Sequence, residues 1–244
     1  MRQTVLITGA SSGLGEELAR LYAAQGRHLA LCARRTERLL SLQAELGARF
    51  GTRVEVRELD VTNHQAVFDV FDDFARVLGR IDRFVVNAGV NGGHAVGTGQ
   101  FEPNLRLVET NFVAGLAQCE AAVRILRKQG EGHLAVVSSM SAMRGLPSHM
   151  TVYAATKAGI AHLAEGIRAD LAGTPIAVST IFPGYIRTEI NAHKGRLPFE
   201  VDQVTGAKAL FRAIESEKAT AWVPAWPWTI VGRVMRVVPA RFLV

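Results

Sequence analysis

Tyr153 and Lys157 stand four positions apart in the run Tyr-Ala-Ala-Thr-Lys, a spacing that places a phenol and an ammonium on one face of a helix. A phenol ionises near pH ~10 and is a poor acid–base group at neutrality unless a nearby cation favours its anion. With Lys157 beside it, Tyr153 could pass a proton to or from a substrate oxygen. The plain alternative is a surface pair, since many helices carry these residues at this spacing by chance. The weight of the pair therefore comes from the residues around it. Ser138, Ser139 and Ser141 follow an apolar run upstream of it. Asn111 lies inside a helical pattern, where its low propensity points to a local hydrogen-bonding job.

The elements that must position these groups are legible from end to end. Short apolar runs predict strands near 4–8, 28–33, 53–58, 83–87, 133–138, 176–182 and 220–223. Longer amphipathic stretches predict helices near 14–25, 36–48, 63–78, 103–129, 152–172 and 203–216. This alternation predicts an α/β fold, a doubly wound Rossmann-type sheet of seven parallel strands with helices on both faces. Ligands of such sheets sit beyond the carboxyl ends of the strands, so the residues after each strand matter most.

After the first strand comes Thr8-Gly9-Ala10-Ser11-Ser12-Gly13-Leu14-Gly15, and then a helix. Small residues there let backbone approach a pyrophosphate, whose charge the helix N-terminus favours. The spacing departs from G-x-G-x-x-G, and a glycine turn can also serve geometry alone. The second strand runs into Arg34-Arg35, where an enzyme for the unphosphorylated dinucleotide would place a carboxylate for the ribose hydroxyls. A guanidinium can instead grip a 2′-phosphate with forked, charge-assisted bonds. NADP(H) is the expected cofactor, with Arg34 its clamp and NAD(H) the alternative. Arg35, with Glu37 and Arg38, is either part of that clamp or a solvated helix start.

With these pieces in order the chain resembles the short-chain dehydrogenase/reductase family from about residue 4 to 225. The resemblance rests on Thr8-Gly9-x-x-x-Gly13-x-Gly15, Leu59-Asp60-Val61, Asn87-Ala88-Gly89, Asn111, Val136-Val137-Ser138-Ser139, Tyr153-x-x-x-Lys157 and Pro183-Gly184. It implies hydride transfer between a nicotinamide and a carbonyl or alcohol carbon. On that basis Ser139 orients the substrate carbonyl, Tyr153 is the proton donor, and Lys157 lowers the phenol pKa and holds the nicotinamide ribose. Asn111 supports a water chain that leads through Lys157. Gly9, Ser11, Ser12, Gly13, Leu14 and Gly15 form the pyrophosphate turn. Asp60 and Val61 sit beside the adenine, although Asp60 is also placed to cap the turn before Thr62 and Asn63. Asn87, Ala88 and Gly89 pack the adenosine ribose, while Pro183, Gly184, the backbone of Ile186 and the hydroxyl of Thr188 take the nicotinamide side. Ser139 precedes Tyr153 by one residue more than the family's usual spacing, which a one-residue insertion near 148–152 would absorb. Ser141 is the alternative hydroxyl. Family members pair through the helices that carry Asn111 and Tyr153, so a homodimer or homotetramer is expected.

The 244 residues, 48% of them hydrophobic and no linker among them, predict one domain over 1–225 followed by a tail over 226–244. The net charge of +6 is spread along the chain, which argues against nucleic acid and fits attraction of an anionic cofactor. Cys32 and Cys119 fall in apolar patterns and read as free thiols of a reducing compartment. The start enters a strand directly, so neither a signal peptide nor an N-terminal anchor is expected, and the location expected is the cytoplasm. The pocket is expected to border Val90–Gly99, Met140–Met150 and Tyr185–Arg196, whose methionines favour a hydrophobic carbonyl substrate. His94, His149 and His193 have no metal-binding spacing and read as loop residues, so no metal is expected. The tail carries Trp226, Trp228, Arg233, Arg236 and Arg241 and is too short to span a bilayer. It is expected to pack on the domain, on a partner subunit or peripherally on a membrane, as tails of some steroid and lipid reductases in the family do.

Overall fold

Strand β1 (Thr4–Thr8) is buried along its whole length, with alternate side chains feeding opposite faces of the sheet. In the computed structural model, which describes residues 2–189, 195 and 197–238, it is followed by α1 (Gly13–Ala23), β2 (His28–Ala33), α2 (Thr36–Phe50), β3 (Val54–Glu58), α3 (His64–Leu78) and β4 (Arg83–Val86). Then come α4 (Phe101–Val108), a π turn (Glu109–Val113), α5 (Ala114–Gln129), β5 (Gly132–Val137), 3₁₀ turns over Met140–Met143 and Ser148–Met150, α6 (Thr151–Asp170), β6 (Ile176–Pro183), α7 (Gln203–Glu215), β7 (Thr220–Val223) and α8 (Ala225–Val237). The seven strands run parallel in the order β3-β2-β1-β4-β5-β6-β7, so the winding reverses between β1 and β4. That reversal opens a crevice where the loops after β1 and β4 part.

Leu6, Phe84 and Leu134 on one face pack with Phe71 of α3, Leu126 of α5 and Ile160 of α6. Val5, Ile7 and Leu29 on the other face pack with Leu18 of α1, Leu39 of α2 and Leu210 of α7. Cys32 and Cys119 are free and buried, and burial pushes both thiols up, Cys119 to about 12.

At the amino end of the sheet the buried guanidinium of Arg83 donates to Nδ1 of His133 at 2.8 Å, to the Tyr22 hydroxyl at 3.2 Å and to Glu217 at 2.9 Å, and it also pairs with Glu215. Burial, and then the charge of Arg83, push His133 down to about 3. The imidazole is therefore neutral and acts as an acceptor inside a paired network, far from the carboxyl ends of the strands.

Two elements differ from the expectation. The helix foreseen over 103–129 is interrupted by the π turn around Asn111, and Pro103 stands in the first turn of α4, where its missing N–H costs nothing. Within the expected tail, residues 226–237 belong to α8, packed on the domain, while residues 239–244, with Arg241, lie outside the described residues.

Candidate active site

The glycine turn is shaped by what a side chain would strike. A Cβ on Gly9 would lie 3.0 Å from Cα of Ala88, and one on Gly15 would lie 2.8 Å from Nδ2 of Asn87 and closer still to the Gly9 carbonyl. Gly9 and Gly13 also have φ of 66° and 60°, which only glycine adopts without strain. The Thr8 hydroxyl accepts from the amides of Asn87 (3.1 Å) and Ala88 (3.0 Å), and Asn87 Nδ2 donates to the Thr8 carbonyl at 2.9 Å. These bonds tie the β4 end to the β1 turn. Ser12 starts α1 without a side-chain cap, so the first-turn amides point at the crevice. Such a cradle fits a dinucleotide pyrophosphate.

The two arginines after β2 separate. Arg35 lies across the turn, donating to Ser11 Oγ at 3.2 Å and Ser12 Oγ at 2.5 Å. Arg34 is exposed and turns to Asp60, whose carboxyl is raised by burial but lowered more by two bonds from Thr62 and by the Arg34 charge. Arg35 thus reaches the glycine turn while Arg34 faces Asp60, because consecutive side chains leaving an extended strand diverge. Arg35 and Arg38 both meet Glu189, at 3.6 and 3.0 Å. Asp60 caps the turn toward Thr62, Val61 is buried beneath it, and Asn63 caps α3 by accepting from the Ala66 amide.

At the end of β5, Ser138 is buried, its hydroxyl donating to the Lys157 carbonyl at 2.7 Å. Ser139 opens the Met140–Met143 turn and hydrogen-bonds the Tyr153 hydroxyl. The Ser141 hydroxyl is buried with no partner among the described residues. The turn over Ser148–Met150, entered through Ser148 at φ 59°, accommodates the long Ser139–Tyr153 spacing just before α6. Lys157 is buried one helical turn on, with Nζ 5.9 Å from the Tyr153 ring centre and 3.3 Å from the Val137 carbonyl.

This geometry changes the expected electrostatics. Burial pushes the Tyr153 phenol up, and only the Ser139 bond pulls the other way. Lys157, its ammonium over the ring, is itself pushed down to about 8 by burial. Tyr153 is consequently a protonated acid at neutral pH.

Asn111 is buried in the π turn. Its Oδ1 accepts from the Val90 amide at 2.8 Å, and its Nδ2 donates to the Val90 carbonyl at 2.9 Å and to Thr156 Oγ1 at 3.5 Å. A Cβ on Gly89 would lie 3.1 Å from Asn111 Oδ1 and 3.5 Å from Lys157 Nζ, so the β4 loop, Asn111 and Lys157 converge on one glycine. After β6, the Gly184 amide donates to the Val223 carbonyl at 2.8 Å, and Ile186 is buried in a bridge with Val201. Thr188 reaches back to the pyrophosphate turn, where a Cβ on Gly13 would lie 3.7 Å from its own Cβ.

Met140 and Met143 do not line an open pocket. They are buried with Phe182 and Trp228, and the Trp228 indole lies directly on Gly184, leaving no room for a Cβ there. Tyr185 and Phe199 meet the same indole edge-on at 5.1 and 6.3 Å. Trp228 and Glu189 are the site neighbours that sequence reasoning missed, and no local pattern marks either. His94 is pinned to Asn104 through its amide and carbonyl, at 2.9 and 3.1 Å, while His193 and most of 190–196 lie outside the described residues. Among the described residues no three His, Cys, Asp or Glu side chains are grouped to hold a metal.

A seven-stranded parallel sheet carrying this glycine cradle and a Ser–Tyr–Lys cluster defines a dinucleotide-dependent α/β enzyme, and the chain belongs to the short chain dehydrogenase family, whose profile matches residues 3–196. It is an oxidoreductase of that family. It is 47% identical over 241 residues to an uncharacterised oxidoreductase of Mycobacterium tuberculosis, covering 98% of this chain and 95% of the relative. An uncharacterised oxidoreductase of Myxococcus xanthus is 32% identical over 238 residues, covering 97% and 93%. Among solved structures, a short-chain dehydrogenase from Sphingobium yanoikuyae in complex with NADPH superposes with a TM-score of 0.82 at 27% identity, covering 97% of this chain and 96% of that one.

Proposed function

We propose that the protein is an NADP(H)-dependent oxidoreductase that moves a hydride between nicotinamide and a carbonyl or secondary alcohol, working as a reductase of apolar ketones or aldehydes. The observation that carries this reading is the Ser139–Tyr153 hydrogen bond above the buried Lys157. The bound dinucleotide supplies the hydride. Ser139 and Tyr153 present hydroxyl groups to the substrate oxygen, and Tyr153 gives its proton as charge develops there. A phenol that burial keeps protonated suits reduction. Lys157 would hold the nicotinamide ribose, and Asn111 keeps the Gly89–Val90 loop in register with Lys157 and would serve the water chain.

The pyrophosphate is assigned to Gly9, Ser11, Ser12, Gly13, Leu14 and Gly15, the adenine to Asp60 and Val61, and its ribose to Asn87, Ala88 and Gly89. Pro183, Gly184, Ile186 and Thr188 take the nicotinamide side. Arg35, already on Ser11 and Ser12, takes the 2′-phosphate with Arg34 at its flank. The NADPH complex of the Sphingobium relative supports this cofactor. The same reading makes the protein cytoplasmic and a homodimer or homotetramer through α5 and α6, with residues 226–244 meeting a partner subunit or a membrane periphery.

Titration followed by nicotinamide fluorescence tests the cofactor. NADPH is expected to bind at least about tenfold more tightly than NADH, since charge-assisted bonds contribute ~1.5–3 kcal/mol. Arg35→Ser should lose most of that preference, and Arg34→Asp less of it. Glu189→Gln should tighten NADPH a few-fold by releasing Arg35 and Arg38 from their present ion pairs. Equal NADH binding would overturn the cofactor assignment, and no binding of either would overturn the function.

A further inference from the structure

Helix α8 is apolar on two sides. Its inner side is committed to the active site, with Trp228 (4% exposed) on Gly184, and with Gly232 so close to Trp222 and Met140 that a Cβ would lie 2.6 Å from the indole nitrogen and 3.0 Å from the thioether methyl. The outer side carries Ile230, Val234 and Val237, which are 52%, 47% and 77% exposed. At helical spacing these three fall within about 60° of arc, opposite Trp228 and Gly232. Trp226, 75% exposed, stands at the kink where the helix begins. Single exposed aliphatic residues are ordinary, but a row along one helix marks a contact surface.

The charges this helix carries have one sign. No carboxylate occurs from 225 to 238, Arg233 and Arg236 are exposed beside the row, and Arg144 donates to the Arg236 carbonyl at 3.1 Å. A second copy seated here by two-fold symmetry would set arginine against arginine with no acid from the helix to relieve it. An anionic lipid surface accepts those arginines at its headgroups while its interfacial region takes Trp226 and the aliphatic row. No helix among the described residues is long and apolar enough to cross a membrane, which makes the contact peripheral.

We infer that the outer face of α8 docks on anionic lipid bilayers. Resting on the proposed function, this extends the substrate class to carbonyl compounds dissolved in the bilayer, because α8 covers the site that would reduce them. Sedimentation of the full chain with phosphatidylcholine vesicles and with vesicles containing phosphatidylglycerol, at low and physiological salt, tests it, with NADPH fluorescence measured on the same samples. Pelleting is expected with anionic vesicles only. The pair Ile230→Asp and Val234→Asp should weaken it at least about tenfold and leave NADPH fluorescence enhancement intact, and Arg233→Gln with Arg236→Gln should flatten its salt dependence. Wild-type protein that stays in the supernatant with anionic vesicles at low salt would overturn docking. An aspartate pair that pellets like wild type, or that instead halves the particle mass by light scattering, would also overturn it, the latter by making this face an interface between copies. Failure of NADPH to bind would strike the nucleotide reading alone.

Discussion

Tyr153→Phe is expected to lower kcat by about 10²–10⁴-fold on any ketone or aldehyde that the wild type reduces, the range that a positioned proton donor contributes. The substitution removes one hydroxyl and its bond to Ser139 and keeps the ring that packs over Lys157. NADPH binding should therefore stay within a few-fold, and the loss should appear in kcat rather than in cofactor affinity. The pH profile separates this role from a structural one. Because burial raises the phenol, wild-type reduction should hold across neutral pH and fall only on the alkaline side, whereas the residual rate of the variant should lack that limb. A variant turning over within about threefold of wild type would remove Tyr153 from the proton path.

Lys157→Met is expected to make the protein without cofactor more stable while abolishing activity. Burial holds the ammonium at about 8 against an ordinary 10.5, so below pH 8 the folded state carries a charge that water would solvate better. At ~1.4 kcal/mol per pKa unit, that cost is about 3 kcal/mol, and a chain of this size should gain roughly 5–10 °C in Tm when an isosteric thioether replaces the amine. The sign follows from proton linkage. Between pH 8 and 10.5 the unfolded chain binds more protons at this position than the folded one, so wild-type stability should rise with pH over that window. The variant should lack the rise, and the two stability curves should meet at its upper end. Equal or lower Tm for the variant at pH 7 would show that the ammonium is stabilising in place. A residue kept at such a cost is explained by what it does when ligand is bound, a trade between stability and activity.

The strands were legible because each is a short apolar run set off by turn residues, and α1, α2, α3, α6 and α7 because their apolar period is unbroken. Seven strands with the glycine turn at the first strand end were enough to place the crevice. What escaped depends on contacts between distant segments. The π turn exists where Asn111 meets Val90 and Thr156, partners that no window around residue 111 contains. Which arginine reaches the glycine turn depends on how the chain leaves β2, so Arg34 and Arg35 were not separable by type. Helix α8 carries apolar residues on both sides and begins at a proline-rich kink, so its period is blurred. The four-residue spacing did place Lys157 against Tyr153, its ammonium 5.9 Å from the ring centre, whereas the burial that raises the phenol comes from segments the spacing does not show.

The seat of Trp228 on Gly184 has a consequence for synthesis of the chain. The nucleotide half, β1 to β4, waits on later segments, since Leu18 of α1 packs with Leu210 of α7 and Arg83 of β4 pairs with Glu215 and Glu217. The turn that carries Ser139 waits longer still, since Met140 and Met143 are covered by the indole of Trp228, which follows β7 in the chain. A product clipped just before α8 would thus keep the sheet and the glycine cradle but leave the catalytic turn uncovered, able to sequester cofactor before it could use it.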